Sequence, residues 1–220
     1  MKILNLYACL GGNRYKWNEV KEDIEVTAVE LDAELARMYQ ERFPNDKVIV
    51  ADVHQYLLDN YSDYDFIWSS PPCPTHSVTN HFLNAQGIVR FPDMKLYEEI
   101  IFLQTFFKGK YVVENVIPYY EPLISAKKRG RHLYWNNFNL PNILSTRVAP
   151  NMNCNKNITS KVISGFLEYH EITSIVKGYK GKQDKGKIAR NLVDYEAGKT
   201  ILETALGIIR KQDIKQTELF

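Results

Sequence analysis

The front half of the chain alternates short apolar runs with longer amphipathic segments. Five runs rich in Val, Ile and Leu lack strict alternation, as expected of strands buried on both faces of a parallel sheet; they are KILNLYA, EVTAVEL, KVIVAD, DYDFIWSS and KYVVENV. Between them, DAELARMYQERF, VHQYLLDN and DMKLYEEIIFLQTFF have helical spacing, and the first should begin after Asp32 and end before Pro44. The pattern predicts a βαβ series with a parallel sheet over roughly residues 1–124.

The back half shows weaker periodicity. RHLYWNNFNL looks like a strand, whereas residues 74–92 and 139–190 are expected to be irregular, because they are polar or rich in Asn, Lys and Gly. The final segment, DYEAGKTILETALGIIRK, predicts a helix that packs back on the sheet. Its apolar positions are Ile201, Leu202, Ala205, Leu206 and Ile209.

Composition narrows the class of protein. The chain has 220 residues, 45% of them hydrophobic and 25% charged, which suits one well-buried domain with a small appendage. It contains no apolar run as long as a membrane helix and no signal-peptide pattern, so we expect a cytoplasmic protein without a membrane partner.

The three cysteines do not form a recognisable set. Cys9, Cys73 and Cys154 are far apart and form no CxxC pair, so neither a disulfide framework nor a zinc site is expected. The loose pair His76 and His81 is interpreted as two loop residues, and no metal site is predicted.

Charge is unevenly distributed along the chain. Residues 125–190 carry 13 basic and 3 acidic residues, or +10, although the whole chain carries only +2. A basic segment of this size favours a polyanionic partner, and a solvated lysine-rich loop is the alternative.

Polar residues follow the ends of the first three predicted strands, where parallel sheets bind ligands. YACLGGN is a glycine turn after the first strand, Glu30 ends the second, and Asp52 follows the third. Glu30 suits a ribose hydroxyl pair and Asp52 an adenine amino group, although Asp52 is also a candidate N-cap; Asp32 is interpreted as an N-cap outright. Without a GxGxxG phosphate cradle, this set favours S-adenosylmethionine over a dinucleotide.

Two further strand ends carry candidate chemistry. The segment WSSPPCPTHS places Cys73 just past the fourth strand, a position that suits a nucleophile as well as a buried apolar residue. The fifth strand ends in ENV, which brings Glu114 to the same edge.

The ordered motifs LNLYACLGG, VELD, VAD, PPC, ENV, KKRGRHLYW and RNLV resemble those of the DNA cytosine-5 methyltransferases over nearly the whole chain. The resemblance implies an α/β, Rossmann-like S-adenosylmethionine-dependent methyltransferase sheet with a small basic target-recognition appendage. It also implies a catalytic domain over residues 1–138, a target-recognition region over 139–188, and a C-terminal segment over 189–220 that returns to the catalytic domain.

The resemblance also implies roles for single residues. Cys73 would add to C6 of cytosine, Glu114 would hold N3 and the exocyclic amine, and the pair Arg129 and Arg131 would orient the base oxygen and the catalytic loop. The cofactor contacts implied are Tyr7, Ala8, Cys9, Leu10, Gly11, Gly12, Glu30, Leu31, Asp52, Val53, Pro72, Asn191 and Val193.

The chain departs from the family pattern at several positions. Tyr7 replaces a phenylalanine, Cys9 a glycine, Pro74 a glutamine, His76 a phenylalanine and Lys127 a glutamine.

The target-recognition region is short for the family. Its lysines and Arg147 suit phosphates, which carry no sequence information, so we expect a relaxed site or a helper protein. Packing is the expected role of three aromatic residues, with base stacking as the alternative; they are Trp135, Tyr169 and Tyr179. Cys154 is interpreted as a residue without a functional role.

The resemblance implies methylation of DNA by a protein that is encoded by bacteria, phage or a mobile element, with restriction-modification as the expected setting. RNA is an alternative substrate, because the tRNA-methylating branch of the family shares PPC and ENV. A third hypothesis is a DNA-binding protein of the same fold that has lost catalysis. The intact Cys73, Glu114 and Arg129 argue against this hypothesis.

Overall fold

The computed structural model describes residues 1–145 and 156–208. Its strands are β1 Lys2–Leu6, β2 Glu25–Glu30, β3 Lys47–Val50, β4 Phe66–Ser69, β5 Lys110–Val116, β6 Lys127–Arg129 and β7 His132–Asn136. They form one sheet in the order β3-β2-β1-β4-β5-β7-β6, in which β1 to β5 are parallel and β7 runs antiparallel between β5 and β6. The α/β fold with a parallel sheet is confirmed.

Helices cover both faces of this sheet. They are α1 Trp17–Val20, α2 Ala33–Arg42, α3 Val53–Asn60, α4 Asn80–Ala85, α5 Lys95–Phe106, α6 Lys156–Tyr169, α7 Thr173–Lys177, α8 Lys185–Arg190 and α9 Tyr195–Ala205. As predicted, α2 begins after Asp32, whose carboxylate accepts hydrogen bonds from two backbone N–H groups of the first turn, and it ends before Pro44. No helix in residues 1–145 or 156–208 is long and apolar enough to cross a membrane.

Alternate residues of each central strand enter different cores. Leu4, Leu6 and Ile67 pack under α3 and α5, whereas Ile3 and Trp68 pack on the opposite face against α1 and α9. Because both faces are covered, each strand is apolar at nearly every position, which explains the continuous runs in the sequence. The prediction that the last helix packs back on the sheet is confirmed through Ile201 and Leu202; Ile209 lies outside the described residues.

The prediction of an irregular 139–190 region is wrong over its second part, which contains α6, α7 and α8. Phe166, Leu167 and Ile188 form a third core with Leu35 of α2 and with Leu10 of the glycine turn. Tertiary burial of this kind stabilises short helices of low intrinsic propensity. The lysine- and glycine-rich composition of the region therefore did not predict these helices. Residues 74–92 are mostly irregular, as expected, but include the short helix α4.

Candidate active site

A cavity of about 560 Å³ opens at the carboxyl edge of the sheet, where the strand order reverses between β1 and β4. Such a switch point is the usual ligand site of an open α/β sheet. The cavity is lined by many of the residues singled out in the sequence: Tyr7, Cys9, Glu30, Leu31, Asp52, Val53, Pro72, Cys73, Glu114, Asn191 and Val193. The candidate nucleophile and the candidate cofactor contacts therefore share one space.

Four of the predicted cofactor contacts lie behind the cavity wall. Ala8, Leu10, Gly11 and Gly12 are buried in the turn after β1 and do not line the cavity. A Cβ added to Gly12 would lie 2.4 Å from the carbonyl oxygen of Val193, so this glycine lets the late N-x-V segment reach the turn. These four residues therefore affect the cavity by fixing the backbone of the turn, and their side chains do not line it.

The turn after β1 has a strained backbone. Tyr7 and Cys9 have φ values of 55° and 46°, in the left-handed region that glycine adopts most easily. Cys9 therefore stands at a position whose conformation favours glycine, which gives the family preference for glycine there a physical basis. Burial raises the pKa of the Cys9 thiol to about 12, so it stays protonated.

Acidic side chains organise the cofactor half of the cavity. The Glu30 carboxylate accepts hydrogen bonds from the backbone N–H of Cys9 at 2.9 Å and of Asp32 at 3.0 Å, and burial raises its pKa. Asp52 caps α3 by accepting from the N–H of Gln55, and it lines the cavity as well. The two readings of Asp52, an N-cap and a ligand contact, are thus compatible.

These residues fit S-adenosylmethionine. The N–H groups of Ala8, Cys9 and Gly11 are engaged within the protein, by Val29, Glu30 and Ala8 respectively, and are therefore not free to cradle a pyrophosphate. Carboxylate lone pairs at Glu30 and Asp52 suit the hydroxyl and amino donors of an adenosine. The cavity volume also lies within the usual range for small-molecule sites.

A buried polar network behind Tyr7 was not predicted from the sequence. Fully buried Glu99 of α5 accepts hydrogen bonds from the hydroxyls of Tyr7 and Ser69, both at 2.6 Å, and its carboxylate lies 3.1 Å from Nδ1 of His54. The contact with Glu99 raises the pKa of His54. The available signal was a glutamate at a core position of an otherwise apolar helical stripe.

The PPC and ENV motifs are held together by a hydrogen bond. The side chain of Asn115 donates to the carbonyl oxygen of Pro71 at 3.0 Å, and β4 pairs with β5 in parallel. Cys73 and Glu114 consequently line the same cavity, although 40 positions separate them in the sequence.

The thiol of Cys73 lies among opposing charges. Burial is the largest cause that raises its pKa, and the Glu114 carboxylate raises it further, whereas Lys187 and Arg190 lower it. Both cations belong to α8 and line the cavity. No sequence pattern identified them, because their approach depends on how α8 packs against the glycine turn.

Glu114 also has a neighbour that was not predicted. His132 of β7 lies diagonally across the antiparallel β5–β7 pair, with its Nε2 3.5 Å from Oε1 of Glu114. Both side chains line the cavity. Cross-strand register therefore places an imidazole beside the carboxyl group that is the candidate for holding the base.

The predicted arginine pair lies elsewhere in this structure. The Arg129 guanidinium donates to the carbonyl oxygens of Lys128, Leu140 and Pro141, and Arg131 is exposed. Neither arginine lines the cavity. Arg147 and Cys154 lie outside the described residues.

Backbone hydrogen bonds anchor the first residues of the loop that follows Cys73. The carbonyl oxygen of Cys73 accepts from the N–H groups of His76 and Ser77, and Tyr119 donates its N–H to the carbonyl oxygen of His76. Beyond this turn the loop exposes large apolar side chains, namely Val78, Phe82, Ile88, Val89, Phe91 and Met94. The turn that carries the thiol is thus anchored, while the rest of the loop presents apolar surface.

The predicted packing roles of two aromatic residues are confirmed. Trp135 is buried and donates to the carbonyl oxygen of Ile124, and Tyr179 is buried and donates to Asp32. Tyr169 stacks on Tyr195 with ring centroids 4.2 Å apart.

The sheet order, the cavity at the switch point and the acidic strand ends are those of an S-adenosylmethionine-dependent methyltransferase. The sequence model of the C-5 cytosine-specific DNA methylases matches residues 1–117, more than half of the chain. The chain belongs to this family, and S-adenosylmethionine is its cofactor.

One solved structure supports the fold over nearly its whole length. The Entamoeba histolytica methyltransferase EhMeth aligns with 96% of this chain and 99% of its own at 12% identity and a TM-score of 0.51. A Spodoptera frugiperda DNMT2 mutant has 25% identity over 52% of this chain and 35% of its own, with a TM-score of 0.38, and Schizosaccharomyces pombe Dnmt2 has 17% over 53% and 36%, with 0.39. The matched part thus spans about a third of each DNMT2 protein. No curated protein matches the chain.

Proposed function

We propose that the protein transfers a methyl group from S-adenosylmethionine to C5 of cytosine in DNA through a covalent bond between Cys73 and C6. The observation that carries this proposal is that Cys73, Glu114 and the acidic residues suited to the cofactor line one cavity. A nucleophile and a methyl donor must meet at adjacent ring carbons, and a shared cavity allows this.

The residues of the chain divide the chemistry between them. The Cys73 thiolate adds to C6 while the carboxyl group of Glu114 gives a proton to N3, so that C5 becomes an enamine-like carbon. The cofactor supplies an electrophilic methyl group to that carbon. Loss of the C5 proton to water, expulsion of the Cys73 thiolate from C6 and return of the N3 proton to Glu114 then restore the neutral aromatic ring and the starting state of both side chains.

The thiolate must be available for the first step. An ordinary cysteine is only a small fraction thiolate at neutral pH, and burial at this site reduces that fraction further. Lys187 and Arg190 oppose this effect from α8. A polyanion bound along the basic 125–190 segment would bring the base to the cavity, once the base has left its stack.

The target-recognition region proposed for residues 139–188 is small. A region of this size favours a short or relaxed target site, or a helper protein that supplies specificity. DNA is the proposed substrate because the matching family acts on DNA, and RNA is included as an arm of the test.

The test uses tritiated S-adenosylmethionine with DNA or tRNA that contains 5-fluorocytosine. Fluorine at C5 blocks the final elimination, so the expected result is a labelled covalent adduct with DNA. The adduct should be absent in Cys73→Ser and present in the control Cys154→Ser. An adduct with tRNA alone would assign the substrate to RNA, and no adduct with either polymer would refute the proposed activity.

A further inference from the structure

Glu114 carries a carboxyl group that is largely enclosed by the protein yet still open to the cavity. Its side chain is 9% exposed and lines the cavity. Among the described residues, the basic side chain within salt-bridge distance is that of His132, whose Nε2 lies 3.5 Å from Oε1. Enclosed carboxyl groups are normally paired, so the partner of this one is an imidazole.

The contact is built by two paired strands. In the antiparallel β5–β7 pair, Glu114 lies opposite Tyr134, and Val116 lies opposite His132. Glu114 and His132 are therefore diagonal neighbours on one face of the sheet, within reach of long side chains. The imidazole is 33% exposed and lines the cavity, so it is accessible from the space that would hold the base. Strand register, and not the position of a loop, sets this pair.

The arginine pair that the family resemblance implies does not take this place. All three guanidinium nitrogens of Arg129 donate to backbone carbonyl oxygens, and Arg131 is exposed. Neither arginine lines the cavity. The basic group beside Glu114 thus differs in kind, because a guanidinium always keeps its proton, whereas an imidazole exchanges one near neutral pH.

The proposed reaction needs a source of protons at Glu114. A carboxyl group can give a proton to N3 only when it carries one, and carboxyl groups are ordinarily ionised at neutral pH. An imidazolium whose Nε2 faces Oε1 can supply that proton. The pair can therefore hold one proton between its two members until the base needs it.

We propose that His132 supplies the proton that Glu114 transfers to N3 of the target cytosine. The assignment rests on the proposed cytosine methylation. As the Cys73 thiolate adds to C6, the Nε2 proton passes to the Glu114 carboxylate, and the carboxyl group gives a proton to N3. This step leaves a neutral imidazole, an ionised carboxylate and a neutral adduct. When the thiolate leaves, the N3 proton returns by the same path. Because His132 acts through Glu114, it is a positioning residue.

Other titratable and charged groups share the surroundings of Glu114. The Cys73 thiol and the Tyr134 hydroxyl both experience its charge, and their further electrostatic partners are Arg129, Lys187, Arg190 and Asp194. A simple pH profile of the rate would combine the titration of the thiol with that of the imidazole. Addition of free imidazole reports on the missing group alone.

The first test removes the imidazole and returns it from solution. His132→Ala should lower kcat on the order of 100-fold, as expected for loss of a general acid, with little change in KM for DNA. Free imidazole should restore part of the rate, since the side chain that it replaces is open to the cavity. An unchanged kcat, or a rate that imidazole does not raise, would overturn the proposal.

A double variant and a change of pH make this rescue specific. The combination of His132→Ala with Glu114→Gln should show no rescue, because the added imidazole must act through the carboxyl group. In His132→Ala, measured at two pH values against the unsubstituted protein, the restored rate should follow the concentration of imidazolium. Rescue of the double variant, or rescue that follows neutral imidazole, would refute the proposed transfer.

The second test does not depend on catalysis. In NMR spectra of the ¹⁵N-labelled full chain at neutral pH, the Nε2 resonance of His132 should move in Glu114→Gln. It should stay in place in Glu121→Gln, which removes the same charge from an exposed position that does not line the cavity. One resonance position in all three proteins would mean that the pair does not interact and would overturn the proposal. If the unsubstituted protein transfers no methyl group, the proposed function fails, and this measurement still decides whether the two side chains interact.

Discussion

At the scale of single residues, the reactivity of Cys73 depends on side chains that lie far apart in the sequence. The Glu114 carboxylate raises the pKa of the thiol, and Lys187 and Arg190 lower it. The position of Cys73 and Glu114 at the cavity could be predicted because each lies near the carboxyl end of a strand, Cys73 beyond β4 and Glu114 among the last residues of β5, within a recognisable motif. The α8 cations could not, because their approach depends on tertiary packing that no local pattern records, whereas Glu99 left a local signal, a glutamate within an apolar helical stripe, that does not by itself indicate its partners.

The charges around Cys73 predict opposite effects of two substitutions. Lys187→Met removes a cation and should shift the midpoint of Cys73 alkylation to higher pH, whereas Glu114→Gln removes an anion and should shift it to lower pH. The measurement is the rate of iodoacetamide modification of the Cys73 peptide against pH, read by mass spectrometry.

Lys185→Met is the matched control for this experiment. Lys185 lies on the same helix, but its Nζ bonds to the carbonyl oxygen of Lys177 and it does not line the cavity. Its midpoint should match that of the unsubstituted protein. Shifts of the same sign in Lys187→Met and Glu114→Gln would contradict the electrostatic account.

At the scale of elements, the sequence predicted those whose burial leaves a strong local pattern. The parallel strands are apolar on both faces and were found, and α2 was bounded correctly by Asp32 and Pro44. The helices α6 to α8 were missed because their stability comes from contacts with α2 and the glycine turn. These same helices bring Lys187 and Arg190 to the cavity.

The contact between α3 and α5 predicts a dependence of stability on pH. The Glu99 carboxylate raises the pKa of His54 above its unfolded value, so the folded state binds protons more tightly. The stabilisation is fully present below the unfolded pKa of about 6.5 and is lost as pH rises through the folded pKa. The difference in melting temperature between the unsubstituted protein and His54→Gln should therefore be largest below the unfolded pKa of about 6.5 and should shrink as pH rises through the raised folded pKa. A constant difference across that range would contradict the prediction.

The close approach of the glycine turn to the N-x-V segment predicts a large effect of one methyl group. Gly12→Ala would place a Cβ 2.4 Å from the carbonyl oxygen of Val193, so the two segments must separate. We expect affinity for S-adenosylmethionine to fall at least about tenfold, which corresponds to roughly 1.4 kcal/mol, in isothermal titration calorimetry. Gly165→Ala is the control, because that position faces open space. Equal affinities in the two variants would refute the proposed role of the contact.

At the scale of the whole molecule, the basic residues are concentrated in one segment of the chain, and that segment lies beside the cavity. The five parallel strands and their carboxyl edge come from residues 1–124, whereas the 125–190 segment, which adds β6 and β7, supplies a net charge of +10. Three exposed lysines, Lys177, Lys180 and Lys182, run from the end of α7 towards the start of α8. They thus lie next to the helix whose cations reach the cavity. The acidic cofactor half is thus bordered by a basic surface suited to a polyanion.

This arrangement predicts a strong salt dependence of nucleic-acid binding. If the basic segment contacts phosphates, the logarithm of the association constant should fall linearly with the logarithm of salt concentration, by about 0.9 for each phosphate of duplex DNA that is neutralised. Replacing Lys177, Lys180 and Lys182 with Gln should reduce the slope by up to about 3, since each phosphate-binding lysine contributes about 1.

A matched control separates local contacts from net charge. Lys47, Lys108 and Lys110 are exposed at the amino ends of β3 and β5, on the edge of the sheet opposite the cavity. Replacing these three with Gln removes the same charge but should leave the slope almost unchanged, because exposed charges further from the DNA than a Debye length of about 8 Å are largely screened at physiological salt. The measurement is the fluorescence anisotropy of a labelled DNA duplex at salt concentrations from about 50 to about 300 mM, a range wide enough to resolve these slopes. Equal slopes in the two triple variants would mean that binding follows net charge alone, and that the basic segment is a solvated surface without phosphate contacts.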